Sequence, residues 1–414
     1  MRLHTSSEKQ FLNLLCRQIK LRQQLLLNFL KMKCASIFNP LCMKPFLILF
    51  FCISVFCISC ENSETKKNNT DNTQKLQAES RSVIKFISPD SETKYRINDK
   101  IIISLEQIDN AVKPDSISIS YYGKIITIFS NAPYSHEWKT SETSIKTGRQ
   151  KLIATAFMPD GKKQNCESSF LVLSDKKPDE YTYLLKKKYP HDVVAYTQGL
   201  FFDKGYFYEG TGEYGTSSLR KVKIQTGEII KSVNLASEIF GEGITVYKDK
   251  IIQLTWRSNL AFVYDKESFK QIGKFNYSTE GWGITSDGKK LIMSDGSARL
   301  YFLDPDTYTQ IGTLEVCDYY GQILYLNELE YIKGEIWANV YQEDFIIAID
   351  PENGKVTKKI DLKGILDPKD VKGKIDVLNG IAWNEQNNSI FVTGKWWPFV
   401  FEIEVREKVM VLNK

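Results

Sequence analysis

From about residue 196 onward, short apolar runs alternate with tight polar turns along the chain. Ile244 opens ITVYKDKIIQLTW, Ile284 opens ITSDGKKLIMSDG, Glu328 opens ELEYIKGEIWANV and Gly380 opens GIAWNEQNNSIFVTGK. The runs are rich in Val, Ile, Tyr, Phe and Trp, and Lys248-Asp249, Asp287-Gly288, Lys333-Gly334 and Asn387-Asn388 separate them. That is the signature of strands joined by hairpins, not of helices. Each unit begins with a similar triplet: Gln198-Gly199-Leu200, Glu242-Gly243-Ile244, Trp282-Gly283-Ile284, Asn327-Glu328-Leu329 and Asn379-Gly380-Ile381. Their spacings are 242−198 = 44, 282−242 = 40, 327−282 = 45 and 379−327 = 52 residues. Periods of this size mark closed or stacked repeats. Four strands in each of five units predict a five-bladed β-propeller over residues 176–414. Tyr181 to Lys188 is expected to supply the outer strand of the last blade and latch the ring, which would protect the sheet edges. Equivalent triplet positions in a ring converge on one axis. Gln198, Glu242, Trp282, Asn327 and Asn379 are therefore expected to surround a single pocket.

Residues 82–175 read differently. VIKFIS, KIIISLEQ, SISISYYG, KIITIFS, QKLIATAFM and SSFLVLS alternate in strand fashion between turn signals such as Pro114-Asp115 and Pro159-Asp160-Gly161. This predicts a small immunoglobulin-like β-sandwich in front of the propeller, so the whole chain is expected to be all-β. It contains His136 but no cluster of metal-ligating or nucleophilic residues, and a spacer or interaction role fits it best.

The N-terminal segment, residues 1–59, is expected to be a targeting segment. Phe46 to Ser59 is an apolar run of 14 residues, shorter than the roughly 20 a spanning helix needs, with Lys44 just before it. Translation from Met43 would give a compact secretory signal. Cys60 ends the run after Ser59 and resembles the acylated cysteine of a bacterial lipobox, although Cys57 stands where Leu is usual. A lipidated Cys60 would anchor the chain to a bacterial membrane, facing the periplasm or the cell surface, without spanning it. Residues 60–81 hold almost no large apolar side chain and are expected to form a disordered tether.

Charge and cysteine content narrow the partners. The net charge is +5, but residues 1–59 hold eight Lys or Arg and one Glu, so the remainder carries 5−7 = −2. No basic face is left for nucleic acid. Six of the eight cysteines lie at or before Cys60, and Cys166 and Cys317 fall in different predicted domains, so no disulfide is expected. The chain is expected to act as a monomer.

Within the propeller, His191 is the single histidine, and it sits at a strand start where a turn or packing role is expected. A zinc site or a Ser-His-Asp triad would need more. Glu242 lies between Gly241 and Gly243, which give a ligand close access to its carboxylate. Among Trp256, Trp282 and Tyr196 that carboxylate would be poorly solvated, its pKa raised and suited to proton transfer; the competing role is a structural carboxylate satisfied by backbone amides. Asn327 can hydrogen-bond a carbonyl or oxyanion, or clamp two strands. Lys395, in Gly394-Lys395-Trp396-Trp397, faces either the channel or solvent. The tryptophans are core by default, but Trp282 occupies an axial slot. No cofactor is implied.

At this point the residues resemble a known family. HDVVAYTQGL (191–200), EGTGEYGTSSLR (209–220), FGEGIT (240–245), QLTW (253–256), GWGITSDG (281–288), SDGSARLYFLDP (294–305), LNELEYIKGEIWANV (326–340), DVLNGIAW (376–383) and FVTGKWWP (391–398) follow, in order, the plant-type glutaminyl-peptide cyclotransferases. The resemblance spans the predicted propeller and says nothing of residues 1–180. It implies metal-independent conversion of an N-terminal glutaminyl residue to pyroglutamate with loss of ammonia. Glu242 would be the proton-transferring residue, Asn327 the substrate-binding amide and Lys395 the functional lysine. Gln198, Phe240, Trp256 and Trp282 would line the substrate pocket. Tyr341 would stand where the family often has Trp, and Asn379 joins the substrate-binding set through its axial slot. The expected partner is a peptide or protein with an N-terminal Gln. Two other classes remain open from sequence: a non-catalytic ligand- or peptide-binding propeller lipoprotein, and a propeller hydrolase with a metal held by several axial carboxylates.

Overall fold

The computed structural model describes residues 82–108 and 112–408; the expected signal segment, the lipidation site Cys60 and the tether lie outside the described residues. Among the described residues the chain is all-β, with two single-turn 3₁₀ helices, Thr140–Glu142 and Pro368–Asp370, and no α-helix.

Beyond residue 190 the strands fall into five antiparallel units, each entered from its innermost strand. These are Thr197–Asp203, Gly241–Tyr247, Ile284–Ser286, Leu326–Ile332 and Leu378–Asn384, so every triplet sits at the start of a first strand. Local chemistry explains the hairpins. Lys333 and Gly334 both take positive φ (50° and 89°) between the paired residues Ile332 and Glu335, the two-residue turn whose twist matches the strands. The innermost and second strands are almost wholly buried, as in Glu335–Val340, whereas outer strands such as Gln271–Asn276 alternate with solvent. That gradient is why the inner strands are continuous apolar runs.

Neighbouring units share cores. Leu219 packs with Ile244 and Ile251, and Leu254 with Leu291 and Met293. Ile292 and Leu300 pack with Leu329 and Ile336, and Ile346 with Ile381 and Val392. Ala382 and Phe391 of the fifth unit pack with Leu200 and Phe207 of the first, so the sequence of shared cores returns to its start. Each fully buried side chain of this kind contributes about 1.5–3 kcal/mol.

Around the centre the triplets touch. A Cβ on Gly243 would lie 2.6 Å from the Trp282 carbonyl, and one on Gly283 would lie 2.1 Å from the Asn327 carbonyl. The fourth triplet differs: Glu328 occupies the glycine position. Its buried carboxylate accepts hydrogen bonds from Leu200 N at 3.1 Å and Ile381 N at 2.8 Å, tying the fourth unit to the first and fifth.

The fifth unit supplies three strands of its own. Its outer neighbour is Asp179–Pro190, antiparallel to Phe399–Glu407 in a register running from Tyr181↔Glu407 to Pro190↔Phe399. That is the pairing expected of Tyr181 to Lys188. The same strand also runs parallel to Val356–Asp361 through Asp179 to Tyr181, which joins the fourth and fifth units into one eight-stranded sheet. The sequence did not signal this second pairing.

Before residue 175 a three-stranded and a five-stranded sheet cover one core of Ile101, Ile103, Ile117, Ile119, Trp138, Leu152 and Phe170. This part docks on the third and fourth units. Arg96 donates to the Tyr319 carbonyl at 2.7 Å with its guanidinium 3.5 Å over the Tyr319 ring, and Thr147 Oγ1 donates to the Glu315 carbonyl at 2.6 Å. The two cysteines inside the described residues, Cys166 and Cys317, are free thiols.

Candidate active site

The starts of the inner strands and the loops above them enclose a cavity of about 230 Å³, lined by Tyr196, Gln198, Glu213, Phe240, Glu242, Trp256, Trp282, Asn327, Tyr341 and Lys395. At about 30 Å³ per water, this is the room of one amino-acid residue, not of a folded domain.

Glu242 is at its floor, 5% exposed. Gln198 Nε2 donates to Glu242 Oε1 at 3.0 Å, and Asn379 Nδ2 donates to Gln198 Oε1 at 3.3 Å and to the Thr197 carbonyl at 3.0 Å. A row of amides therefore fixes the carboxylate from one side. Burial lifts the Glu242 pKa well above the usual carboxylate range; the nearby Lys395 ammonium pulls it back and Glu280 adds to the lift. Lys395 is 3% exposed and answers in kind. Burial lowers its pKa, against the pull of Glu242, Asp376 and Glu213. Its ammonium stands 4.6 Å from the Tyr196 ring centroid and 5.4 Å from that of Tyr341, a cation held by aromatic faces. Backbone bonds from Lys395 N to the Val377 carbonyl (3.0 Å) and from Asp376 N to the Lys395 carbonyl (2.9 Å) hold the lysine's segment against the entry to the fifth unit.

Asn327 and Trp282 are set by one serine. Ser294 Oγ donates to the Asn327 carbonyl at 2.7 Å and accepts from Gly283 N at 2.8 Å, while the Ser294 carbonyl accepts from Trp282 N at 3.0 Å. The Asn327 side-chain oxygen is buried and has no protein partner. A buried amide oxygen left unpaired is costly unless a ligand satisfies it.

The walls are aromatic. Phe240 meets Trp256 edge-on at 5.5 Å and Trp282 meets Tyr341 edge-on at 5.7 Å. Both indoles are oriented by Glu280, whose Oε2 accepts from Trp256 Nε1 at 2.8 Å and Trp282 Nε1 at 3.1 Å, while Arg257 Nε donates to its Oε1 at 2.9 Å. Partial burial would raise the Glu280 pKa, but these donors hold it below the usual value.

The structure thus brings Gln198, Phe240, Glu242, Trp256, Trp282, Asn327, Tyr341 and Lys395 onto one cavity. Asn379 is not on its wall: its amide is turned toward Thr197 and Gln198, so it braces the site from behind. His191 is buried away from the cavity. Its Nδ1 is 2.7 Å from the Trp397 carbonyl and its Nε2 is 2.9 Å from Glu209 Oε1, so it packs the segment that carries Lys395. Burial opposes its charge, but the Glu209 carboxylate, the Trp397 carbonyl and Asp192 together outweigh this and raise its pKa. Glu280 and Glu213 escape the sequence reading. A carboxylate two positions before the axial Trp282 was the available signal for Glu280. Among the described residues no group of three or more His, Cys, Asp or Glu is arranged to hold a metal ion.

Comparison with known proteins places these residues in context. A family model described as glutamine cyclotransferase matches residues 152–405. A glutaminyl-peptide cyclotransferase from Arabidopsis thaliana is 40% identical over 227 residues, covering 53% of this chain and 70% of that protein. The crystal structure of Myxococcus xanthus glutaminyl cyclase is similar with a TM-score of 0.53 and 32% identity, over 56% of this chain and 100% of that one.

Proposed function

Because the chain belongs to the glutamine cyclotransferase family, we propose that it converts N-terminal glutaminyl residues of peptides and proteins to pyroglutamate with release of ammonia. The observation that carries this reading is one buried carboxylate, Glu242, in a residue-sized cavity with an unpaired Asn327 amide oxygen and the Lys395 ammonium.

The chemistry needs one proton moved between two nitrogens. The substrate α-amine loses a proton to Glu242 and attacks its own side-chain amide carbon, forming the ring C–N bond. The tetrahedral centre then collapses. The bond to the amide nitrogen breaks as Glu242 returns the proton to it, and ammonia leaves. A carboxyl with a raised pKa can both take and give that proton near neutrality. Gln198 fixes the carboxylate. Asn327 accepts a hydrogen bond from a substrate N–H, and Lys395 balances the oxygen as it becomes anionic. Folding the flexible side chain back on the amine supplies proximity, and the aromatic walls exclude water that would hydrolyse the amide. The reading is metal-independent: one carboxylate, Glu242, can carry the proton in both directions, and no step requires a Lewis acid.

The architecture that goes with this chemistry is a five-bladed β-propeller over residues 176–414, supported by the five units and their cyclic cores, behind an immunoglobulin-like sandwich over 82–175. The protein acts as a monomer. Residues 1–59 direct export, residues 60–81 form a tether, and acylated Cys60 anchors it to a bacterial membrane, facing the periplasm or the surface. Incorporation of a labelled fatty acid, lost in Cys60→Ala, tests the anchor.

The activity is tested with a Gln-initiated peptide and excess chelator, following ammonia and the matching mass loss. Chelator-resistant product supports the reading. Folded protein that binds the peptide without turnover would make it a binding module.

A further inference from the structure

A second cavity, of about 540 Å³, lies beside the first and is walled by Val193, Val194, Val371, Ile375, Trp396 and Phe399. Its apolar side chains stand in solvent: Val193 is 57% exposed, Val194 68% and Ile375 41%. They are held there, not loosely displayed. Val194 N donates to Asp192 Oδ1 at 3.1 Å, Ala195 N to the Asp192 carbonyl at 2.9 Å, and Arg220 fixes Asp192 at 2.8 Å. A rigid turn that presents two valines to water is an unsatisfied apolar surface.

Trp396 lines this groove and stands behind Tyr196, a wall of the reactive cavity. Its backbone takes φ 61°, a left-handed conformation that is strained for a bulky residue, and its N donates to the Ala195 carbonyl at 2.7 Å. Its ring packs on Tyr196 at 4.5 Å, and Tyr196 lines the cavity that holds Glu242. The Lys374 ammonium stands 3.5 Å from the Trp396 ring centroid, and Lys372 and Asp370 also line the groove, so its rim carries both signs of charge. An extended peptide advances about 3.3–3.6 Å per residue. One or two residues therefore carry a chain from the reactive cavity across the Tyr196–Trp396 pair.

We infer that this groove is a subsite for the second and third residues of the substrate and that it selects apolar side chains there. The inference rests on the cyclase reading and adds its substrate class: peptides that begin Gln followed by aliphatic or aromatic residues.

The test compares kcat/KM on the full chain for glutamine amide, Gln-Gly-Gly, Gln-Leu-Leu and Gln-Lys-Lys amides. Glutamine amide ends before the groove and reports the reactive cavity by itself. An open apolar groove discriminates at the low end of methylene-scale selectivity, so Gln-Leu-Leu should exceed Gln-Gly-Gly by about tenfold. In Val194→Asp and Ile375→Asp that ratio should fall to within about twofold of unity, with the ratio to glutamine amide falling in parallel. Equal rates for the Leu and Gly peptides, a preference for Lys, or a Leu advantage that survives both substitutions would overturn the groove. Failure to cyclise even glutamine amide would instead overturn the cyclase reading, and the groove with it.

Discussion

Glu242→Gln is the sharpest perturbation of the site. The replacement keeps volume and an acceptor for the Gln198 Nε2 bond at 3.0 Å, so packing and the amide row persist. What disappears is a group able to take a proton from one nitrogen and return it to another. General acid–base catalysis contributes about 10²–10⁴-fold, or about 3–5 kcal/mol of transition-state stabilisation. The loss should appear in kcat with KM little changed, because the aromatic walls and Asn327 still hold the substrate. Stability should not fall. The wild-type carboxylate is buried and strongly desolvated, and a neutral amide removes that cost. The melting temperature should stay within about 4 °C of wild type or rise. The assay is a coupled ammonia measurement alongside thermal unfolding. Activity within tenfold of wild type would refute the shuttle; a melting temperature lower by more than that margin would show that Glu242 is structural.

Four further outcomes are expected. The rate should be bell-shaped against pH: Glu242 must be ionised to accept the proton and its raised pKa lifts the acid limb, while the lowered pKa of Lys395 brings down the alkaline limb, which kcat/KM profiles will read. Because the folded-state pKa values of Glu242, Glu328 and Glu330 all lie well above 4.5, each adds stability in acid that is lost as pH rises through the raised value, so the melting temperature should be higher at mildly acid than at mildly alkaline pH. Glu280→Ala removes the acceptor shared by Trp256 and Trp282; kcat/KM should drop about tenfold, mainly through KM, with a shift in tryptophan emission. Gly283→Ala places a Cβ 2.1 Å from the Asn327 carbonyl; it should cost about 1–3 kcal/mol of stability and a larger share of activity, since the displaced residue, Asn327, is the one proposed to hold the substrate.

Much of this was legible because the relevant signals are local. Turn pairs such as Lys333-Gly334 and the alternating runs mark strands without reference to anything distant, and the triplets mark where each inner strand begins. Placing Glu242 and Asn327 on one cavity needed only the repeat. The rule failed for Asn379, because an axial slot fixes where a residue starts but not which way its amide turns; the Thr197 carbonyl decides that. Glu280 had only its place two positions before Trp282 to mark it, since its role exists only when two indoles from separate turns reach one carboxylate. The parallel pairing of Asp179 to Tyr181 with Lys358 to Ile360, and the Arg96 contact with Tyr319, join segments far apart in sequence, and no periodicity announces them.

A ring of near-copies has an indexing problem. Any unit offers roughly the same sheet face to any other, so a folding chain can close in the wrong phase or recruit a unit from a neighbouring molecule. Glu328 breaks that degeneracy. Only the fourth unit carries an acid at the glycine position, and its oxygens are met by the amides of Leu200 and Ile381. Elsewhere around the centre that position has no space for even a methyl group, as the 2.1 Å approach at Gly283 illustrates. A misphased ring would strand a carboxylate in a dry, crowded site with no donor, at a cost of several kcal/mol. One residue thus distinguishes the fourth unit's place from the other four, because its carboxyl meets both donors only where the first and fifth units adjoin it.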